Sequence, residues 1–325
     1  MILIFSIDGY DQCTDAVIDW LLYYGADFLK ISPKDIYSNK GKWLIDVNNR
    51  SVLYNNEDLS DKVKAVWYRK CPVPFDIIQG GNSCMNTEMA FEYRGIVNYL
   101  SYIFKDKYSL GRINQDFLDK METLNVAQQV GFAIPSTIIT NDVDRILKFR
   151  DFYQVINKQI NGYIKNIYYE GKNTYTCSTH SINDIDIKQG DVGFPSLFQK
   201  FYGRKEEIRV TYVEGWIYAT SYLDLYDKAI DKKHVLTSNH MHVTPYKLDE
   251  DTCEKIRRFM RAVNLNYGAL DFMVGSDGQL IFLEVNPSGQ FLYESLLCCY
   301  NIEQYIAELL IAQDKACWNN KYRSV

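Results

Sequence analysis

The chain has 325 residues, 47% apolar and 24% charged, with a net charge of -5. That is the balance of a globular chain with room for two or three lobes around a cleft, and the acidic excess argues against a general nucleic-acid binder. The N-terminus has no basic region and no long apolar run, which excludes a signal peptide and a membrane span and predicts a cytoplasmic protein.

The opening Ile2 to Ser6, Asp8-Gly9 and the stretch Cys13 to Tyr24 read as strand, loop and helix, and Asp27 to Ile31 resumes as strand. Trp43 to Val47 and Val52 to Tyr54 predict a hairpin, and Ala65 to Arg69 a buried strand ending in charge. Met85 to Phe104 has helical spacing with Glu88, Glu92 and Arg94 on its polar side. Together these predict a first α/β domain over 1–112. Asn114 to Val130 reads as a helix stopped by Gly131. Ile134 to Thr140 follows as strand, Asp142 to Phe149 as helix, and Gln154 to Gln159 and Gly162 to Tyr169 as strands, with Thr174 to Cys177 pairing across Gly171-Lys172-Asn173. This predicts a small α+β domain over 113–195. A third domain over 196–325 opens with strands at Leu197 to Phe201, Ile208 to Val213 and Trp216 to Tyr222, continues with a helix from Glu250 to Val263, and closes with a helix from Tyr300 to Ile311. Eight cysteines show no CxxC pair or zinc spacing and read as free, core-filling thiols in a reducing compartment.

The most informative stretch is a hairpin near the C-terminus. Gly268 to Val274 and Gln279 to Pro287 are apolar strands joined by Gly275-Ser-Asp-Gly278, yet they carry Asp271, Glu284 and Asn286. If Val274 pairs with Gln279, alternation puts Leu270, Phe272, Val274, Ile281, Leu283 and Val285 on one face and the three oxygen donors on the other. Carboxylates in such a setting are costly unless compensated, and Asp, Glu and Asn are ligands that Mg2+ takes. The plainer reading is a hairpin whose acids face solvent.

Lys120 and Lys158 stand among apolar neighbours and are candidate phosphate contacts; the alternative is a packed stem whose head reaches water. In Glu207-Ile-Arg209-Val-Thr211 alternation puts Glu207, Arg209 and Thr211 on one face, where Arg209 can steady a phosphoryl or acyl transition state or simply pair with Glu207 at the surface. Arg69, at a strand end where α/β lobes often bind ligands, is either a carboxylate contact or an ordinary strand-end charge. His240 and His242 read as solvated, no histidine has triad partners, and neither GxxxxGK[ST] nor GxGxxG occurs.

The order of these features, ending in Leu283-Glu284-Val285-Asn286-Pro287, resembles the ATP-grasp ligases. More narrowly, Val66-Trp67-Tyr68-Arg69, Phe198-Gln199 and Glu284-Val-Asn-Pro-Ser-Gly-Gln290-Phe291 resemble the maturases of microviridins and other graspetides, including the "grasp-with-spasm" type. The resemblance spans nearly the whole chain and implies an α/β ATP-grasp fold with an N-terminal lobe, a central lid and a C-terminal ATP- and Mg2+-binding lobe. It implies that Lys120 and Lys158 hold the ATP phosphates, that the backbone of Gln199, Lys200, Phe201 and Tyr202 takes the adenine, and that Glu207 meets the ribose. Asp271, Glu284 and Asn286 would bind two Mg2+ ions, Arg209 would stabilise the acyl-phosphate step, and Arg69 would help seat the acceptor peptide. The implied activity is macrocyclisation of a ribosomal precursor peptide, with Asp or Glu side chains joined to Thr or Ser hydroxyls as ω-esters or to Lys amines as ω-amides. The lid tyrosines around Tyr163 to Tyr169 would take a leader segment or pack within the lid. Relatives suggest a homodimer.

Two departures stand out. Lys200 occupies a position where many relatives carry an acid, and Ala229-Ile-Asp231-Lys232-Lys233 stands where relatives often show an arginine-bearing acceptor element. A small-acid carboxylate–amine ligase and a non-catalytic ATP- and peptide-binding scaffold are the alternative readings. The complete metal trio and Arg209 speak against the scaffold.

Overall fold

Every residue of the first strand, Ile2–Phe5 (β1), is buried, as expected of an apolar run covered on both faces. The computed structural model describes residues 1–38, 41–72, 77, 81–113, 115, 118–160, 166–169, 173–176, 179–203, 206–224 and 241–314. The chain forms two compact units, one of 1–117, 265–268 and 287–325, the other of 118–264 and 269–286.

In the first unit β1 leads into helix α1 (Gln12–Tyr23), which buries Cys13, Thr14, Val17 and Leu21 along one stripe and ends before Gly25, held at φ 63°. Then come β2 (Phe28–Ile31), α2 (Pro33–Tyr37), β3 (Trp43–Asp46), β4 (Ser51–Tyr54), β5 (Glu57–Asp58), α3 (Leu59–Lys62) and β6 (Ala65–Tyr68). The long α4 (Ser83–Ile103) starts where the Asn82 side chain accepts the Met85 N–H at 2.9 Å, and β7 (Tyr108–Leu110) follows it. The strands β2, β1, β6 and β7 make a parallel sheet in that order, while β3, β4 and β5 form a separate antiparallel sheet. The chain steps from β1 to one neighbour, β2, and returns to the other, β6, so the order reverses between β1 and β6.

The second unit begins with α5 (Lys120–Gln129). The sequence predicts this helix from Asn114, but the Asp119 carboxylate accepts the N–H groups of Met121 and Glu122 and so starts it at Lys120. The segment expected from the sequence as the lid follows: β8 (Thr137–Thr140), α6 (Val143–Phe152), β9 (Val155–Lys158), the hairpin β10 (Asn166–Tyr169) and β11 (Asn173–Thr176), β12 (His180–Ser181) and β13 (Ser196–Lys200). Its antiparallel sheet runs β12, β9, β13, β8. The core of the lid joins Ile146 of α6 to Val155, Ile182 and Phe198. A larger sheet is built from β14 (Glu206–Val213), β15 (Trp216–Asp224) and β16 (Met241–Pro245), then, after α7 (Glu250–Ala262), from β17 (Tyr267–Val274) and β18 (Leu280–Asn286), in the order β16, β15, β14, β17, β18. The chain ends in the first unit with α8 (Leu292–Cys298) and α9 (Ile302–Asp314). Among the described residues no helix is long and apolar enough to cross a membrane.

The hairpin β17–β18 has a different register from the one that alternation predicts. Val274 pairs with Leu280, not Gln279, and a bulge at Leu283 shifts the ladder between Asp271 and Phe272. Below the bulge Phe272 faces Phe282, with ring centroids 5.6 Å apart, and Phe259 of α7 lies 4.9 Å from Phe282. The extra residue lets Phe282 enter this core while Glu284 stays on the other face.

Candidate active site

The three oxygen donors of the hairpin do share one face: Asp271 lies directly opposite Glu284, and Asn286 is opposite Ala269, two residues before Asp271. Asn286 Nδ2 donates to Asp271 Oδ2 at 3.1 Å. From β14, Arg209 directs Nη1 at both carboxylate oxygens of Asp271, 2.7 and 3.0 Å away. Both partners are buried, and Glu207, two residues before Arg209 on the same face of β14, is buried too. A buried charge pair of this kind is a poor stabiliser compared with apolar packing, so its presence points to a task.

Two lysines reach the same acids. Lys120, the first residue of α5, places Nζ 3.0 Å from Glu284 Oε2. Lys158 ends β9 in the lid, and its ammonium interacts with Glu284, Lys120, Glu207 and Asp271. Burial pushes Lys158 below the ordinary lysine value despite Glu284. Burial acts to raise the Glu284 carboxyl, but Lys120 and Lys158 outweigh it and hold the group below its usual range. Lys120, Lys158, Glu207, Arg209, Asp271, Glu284 and Asn286, taken from five elements, are therefore one electrostatic group.

The donor set bears on what the group holds. It offers carboxylate and amide oxygens, and among the described residues no three His, Cys, Asp or Glu converge on one point. Two carboxylates with an amide suit Mg2+, which completes its shell with water and substrate phosphate oxygens and needs no all-protein cage. The lysines and Arg209 are cations of the kind that suits phosphate oxygens. The residues fit a magnesium nucleotide.

In the lid, pairing fixes which side chains face the site. Lys158 lies opposite Leu197 and Ile156 opposite Gln199, so these four share a face, while Val155 and Lys200 share the other with Phe198. Gln199 is buried and donates Nε2 to Thr137 Oγ1 at 3.0 Å. Beyond it the backbone is tied down by Lys200 N–H to Ser136 O, 2.9 Å, and Phe201 N–H to Gln154 O, 2.7 Å; Tyr202 is half-buried.

Arg69 belongs to the first unit and is not part of this group. It is fully buried, at the C-terminal end of β6 beside the point where the strand order reverses. Nη1 donates to Ser288 O at 2.6 Å, Nη2 to Gln290 Oε1 at 3.0 Å, and Nε lies 3.3 Å from Asp11 Oδ2. The rings of Tyr267 and Phe291 lie 5.9 and 6.0 Å from the guanidinium carbon. Asp11 also accepts from Lys70, Gln290 and Thr14. Burial opposes ionisation of Asp11, yet Arg69 and these donors hold its carboxyl well below the usual range. Gln115 bridges Tyr68 O and Ser288 Oγ, and Tyr267 Oη donates to Gly289 O at 2.5 Å. The sequence marks Arg69 and Gln290-Phe291 but gives Asp11, Gln115 and Tyr267 no signal beyond being polar groups beside apolar runs. The stretch Ala229 to Lys233, with His240, Tyr163 and Cys177, lies outside the described residues, and His242 is an exposed residue of β16.

No protein-family model matches the sequence, and no curated protein matches it. Solved structures do. The macrocyclase MdnC of Microcystis aeruginosa MRC, bound with precursor peptide MdnA, superposes with a TM-score of 0.79 at 22% identity, covering 96% of this chain and 99% of its own. The fold is that of the ATP-grasp ligases. The RiPP-associated ATP-grasp ligase of Chryseobacterium gregarium, in complex with ADP and a leader and core peptide, gives 0.79 at 23% identity over 96% of both chains. The ATP-grasp ligase PsnB, complexed with minimal precursor, Mg and ADP, gives 0.77 at 17% identity over 97% of both. The ATP-grasp fold expected from the sequence is thus the fold observed, along nearly the full length.

Proposed function

We propose that this chain is an ATP- and Mg2+-dependent ligase that macrocyclises a ribosomal precursor peptide. The observation that carries the reading is the cluster of Arg209, Asp271, Glu284, Asn286, Lys120 and Lys158. It lies in a fold shared over almost the whole chain with ligases solved in complex with precursor peptides, ADP and Mg.

In this reading the N-terminal, lid and C-terminal domains divide near residues 112 and 195. Lys120 and Lys158 hold the ATP phosphates, the backbone of Gln199 to Tyr202 meets the adenine, and Glu207 the ribose. Asp271, Glu284 and Asn286 hold Mg2+, which when bound draws charge from the phosphate oxygens. A carboxylate oxygen of a peptide Asp or Glu attacks the γ-phosphorus, and ADP leaves. Arg209 is placed to stabilise the negative charge of that transfer and of the acyl phosphate. A Thr or Ser hydroxyl, or a Lys amine, then attacks the acyl carbon; its proton leaves and inorganic phosphate departs. Each linkage removes one water from the peptide. The lid keeps solvent from the acyl phosphate, which hydrolysis would waste. The protein works in the cytoplasm as a homodimer.

The test is mass spectrometry of a candidate precursor, a short peptide with a leader and a Thr-, Asp- and Glu-rich core, after incubation with the protein, ATP and Mg2+. Successive losses of one water, abolished by Glu284→Gln, are expected. ADP formation without any mass change in the peptide would move the substrate to a small acid, and no ADP at all would leave a non-catalytic scaffold.

A further inference from the structure

Lys200 follows Gln199 at the end of β13 in the proposed nucleotide hinge, and its side chain is held among aromatic rings. Because Lys200 pairs with Val155, it projects to the side of the lid sheet that packs on α6, away from Gln199, Ile156 and Lys158. Its Nζ lies 4.4 Å from the centroid of the Tyr202 ring and 5.3 Å from that of Tyr153. Tyr153 is itself packed against the lid core and stands edge-on to Phe149 at 5.1 Å. One ring is therefore fixed at the end of α6, the other belongs to the hinge, and the ammonium sits over both.

We propose that Tyr153, Lys200 and Tyr202 form a cation–π clasp that positions the hinge 199–203 for the nucleotide, so that Lys200 sets ATP affinity without touching the base. The inference rests on the reading of this site as an ATP site and adds to it a mode of regulation of affinity from the far face of the lid. Two backbone bonds at Lys200 and Phe201 fix where the hinge leaves β13, but neither reaches Tyr202. The clasp supplies that restraint. A lysine suits the place because its long stem spans from the strand to the second ring while its charge remains partly hydrated. An acid there would be repelled by both ring faces, so the same strand end could not use this restraint.

The experiment measures ADP binding to the full chain by calorimetry in the presence of Mg2+, with KM for ATP and kcat, for wild type, Lys200→Met, Lys200→Arg, Tyr153→Leu, Tyr153→Phe and Lys200→Met/Tyr153→Leu. Tyr153→Leu should weaken ADP and raise KM for ATP by about fivefold, as loss of one partly exposed cation–π contact implies, and Lys200→Met, which loses both contacts, by at least as much, with kcat moving less. The double variant should be no worse than the weaker single one. Lys200→Arg and Tyr153→Phe, which keep cation and ring, should rescue affinity. If Tyr153→Leu melts without cooperativity, Tyr202→Leu takes its place as the ring variant. A loss confined to Lys200 and additive with the ring variant would mean that Lys200 touches the nucleotide and would overturn the clasp, as would unchanged affinity in all variants. Wild-type protein that binds no ADP would sink the ATP-site reading and the clasp with it, an outcome distinct from the others because it appears before any substitution.

Discussion

Replacing Arg69 with methionine should cost this protein far more stability than a surface arginine would. Its guanidinium is fully buried and meets three acceptors: Ser288 O, Gln290 Oε1 and the Asp11 carboxylate. Methionine fills part of the space but leaves those acceptors facing an apolar group. Removing one partner of a buried pair costs about 3 to 5 kcal/mol. Against a total stability on the order of 5 to 15 kcal/mol, that is a large fraction. Asp11 keeps Lys70, Thr14 and Gln290 and remains ionised at neutral pH, which places the loss at the lower end, about 3 kcal/mol.

The pH dependence separates this pair from simple cavity formation. Asp11 has a folded pKa below its unfolded value of about 3.9, so its stabilisation is complete above that value and is lost as pH falls through the folded one. Without Arg69 the folded value rises toward the ordinary range. The gap between wild type and Arg69→Met should therefore be widest near neutral pH and shrink as the pH falls below about 4. The assay is urea unfolding followed by tryptophan fluorescence from neutral pH down to about pH 3, read as midpoints at constant slope. A variant as stable as wild type but with a raised KM for peptide would refute the argument and assign Arg69 to substrate. A loss of stability independent of pH would refute the coupling to Asp11.

Glu284→Gln removes a charge from the face proposed to hold Mg2+ and leaves Lys120 without its 3.0 Å partner; ADP formation should fall by about two orders of magnitude or more in a coupled assay. Arg209→Met strands the Asp271 carboxylate among buried residues and should both lower the unfolding free energy, by about 3 kcal/mol, and suppress turnover, so binding of ADP must be measured at a temperature where the variant is folded. Asp119→Ala removes the cap that starts α5 at Lys120, costs about 1 kcal/mol by thermal melting, and should raise KM for ATP more than it lowers kcat. Chelation of divalent ions should abolish ADP formation, with Mg2+ restoring it; turnover that survives chelation would remove the metal from the mechanism.

Most strands and helices that bound the candidate site were legible because their patterns are strong. Asp271 and Glu284 stand out as acids in apolar strands, and period two groups Glu207 with Arg209 without knowledge of the neighbouring strand. What alternation could not show was the bulge. A regular ladder sends residues 282 and 284 to the same face, whereas this hairpin needs Phe282 against Phe259 and Glu284 toward Lys120. Only an inserted residue achieves both, and nothing local in Ile281-Phe-Leu-Glu284 marks it. The short elements β7 and α8 were also missed, since three or seven residues give too few repeats for a period to register.

The arginines show where single-sequence reasoning stops and packing begins. Arg69 and Arg209 look alike in the sequence, each near the end or middle of an apolar strand with no partner in the adjacent residues. Arg69 reaches Ser288 and Gln290, 219 and 221 residues along the chain, and Asp11 far upstream, while Arg209 reaches Asp271, 62 residues on. For Arg209 the partner is one of the three donors already suspected, so the structure joins two signals into one site. For Arg69 the partners are a backbone carbonyl, an amide and Asp11, and the side chain is fully buried. A guanidinium so enclosed has little left to offer a ligand, whereas Lys70 beside it keeps part of its side chain exposed while bonded to the same carboxylate. Charge exposed to solvent, not charge in the sequence, is therefore the better guide to which residue of this strand end meets a substrate. Comparing peptide KM between Lys70→Met and Arg69→Lys, with stability measured in parallel, decides between them: the first should move KM, the second chiefly the unfolding midpoint.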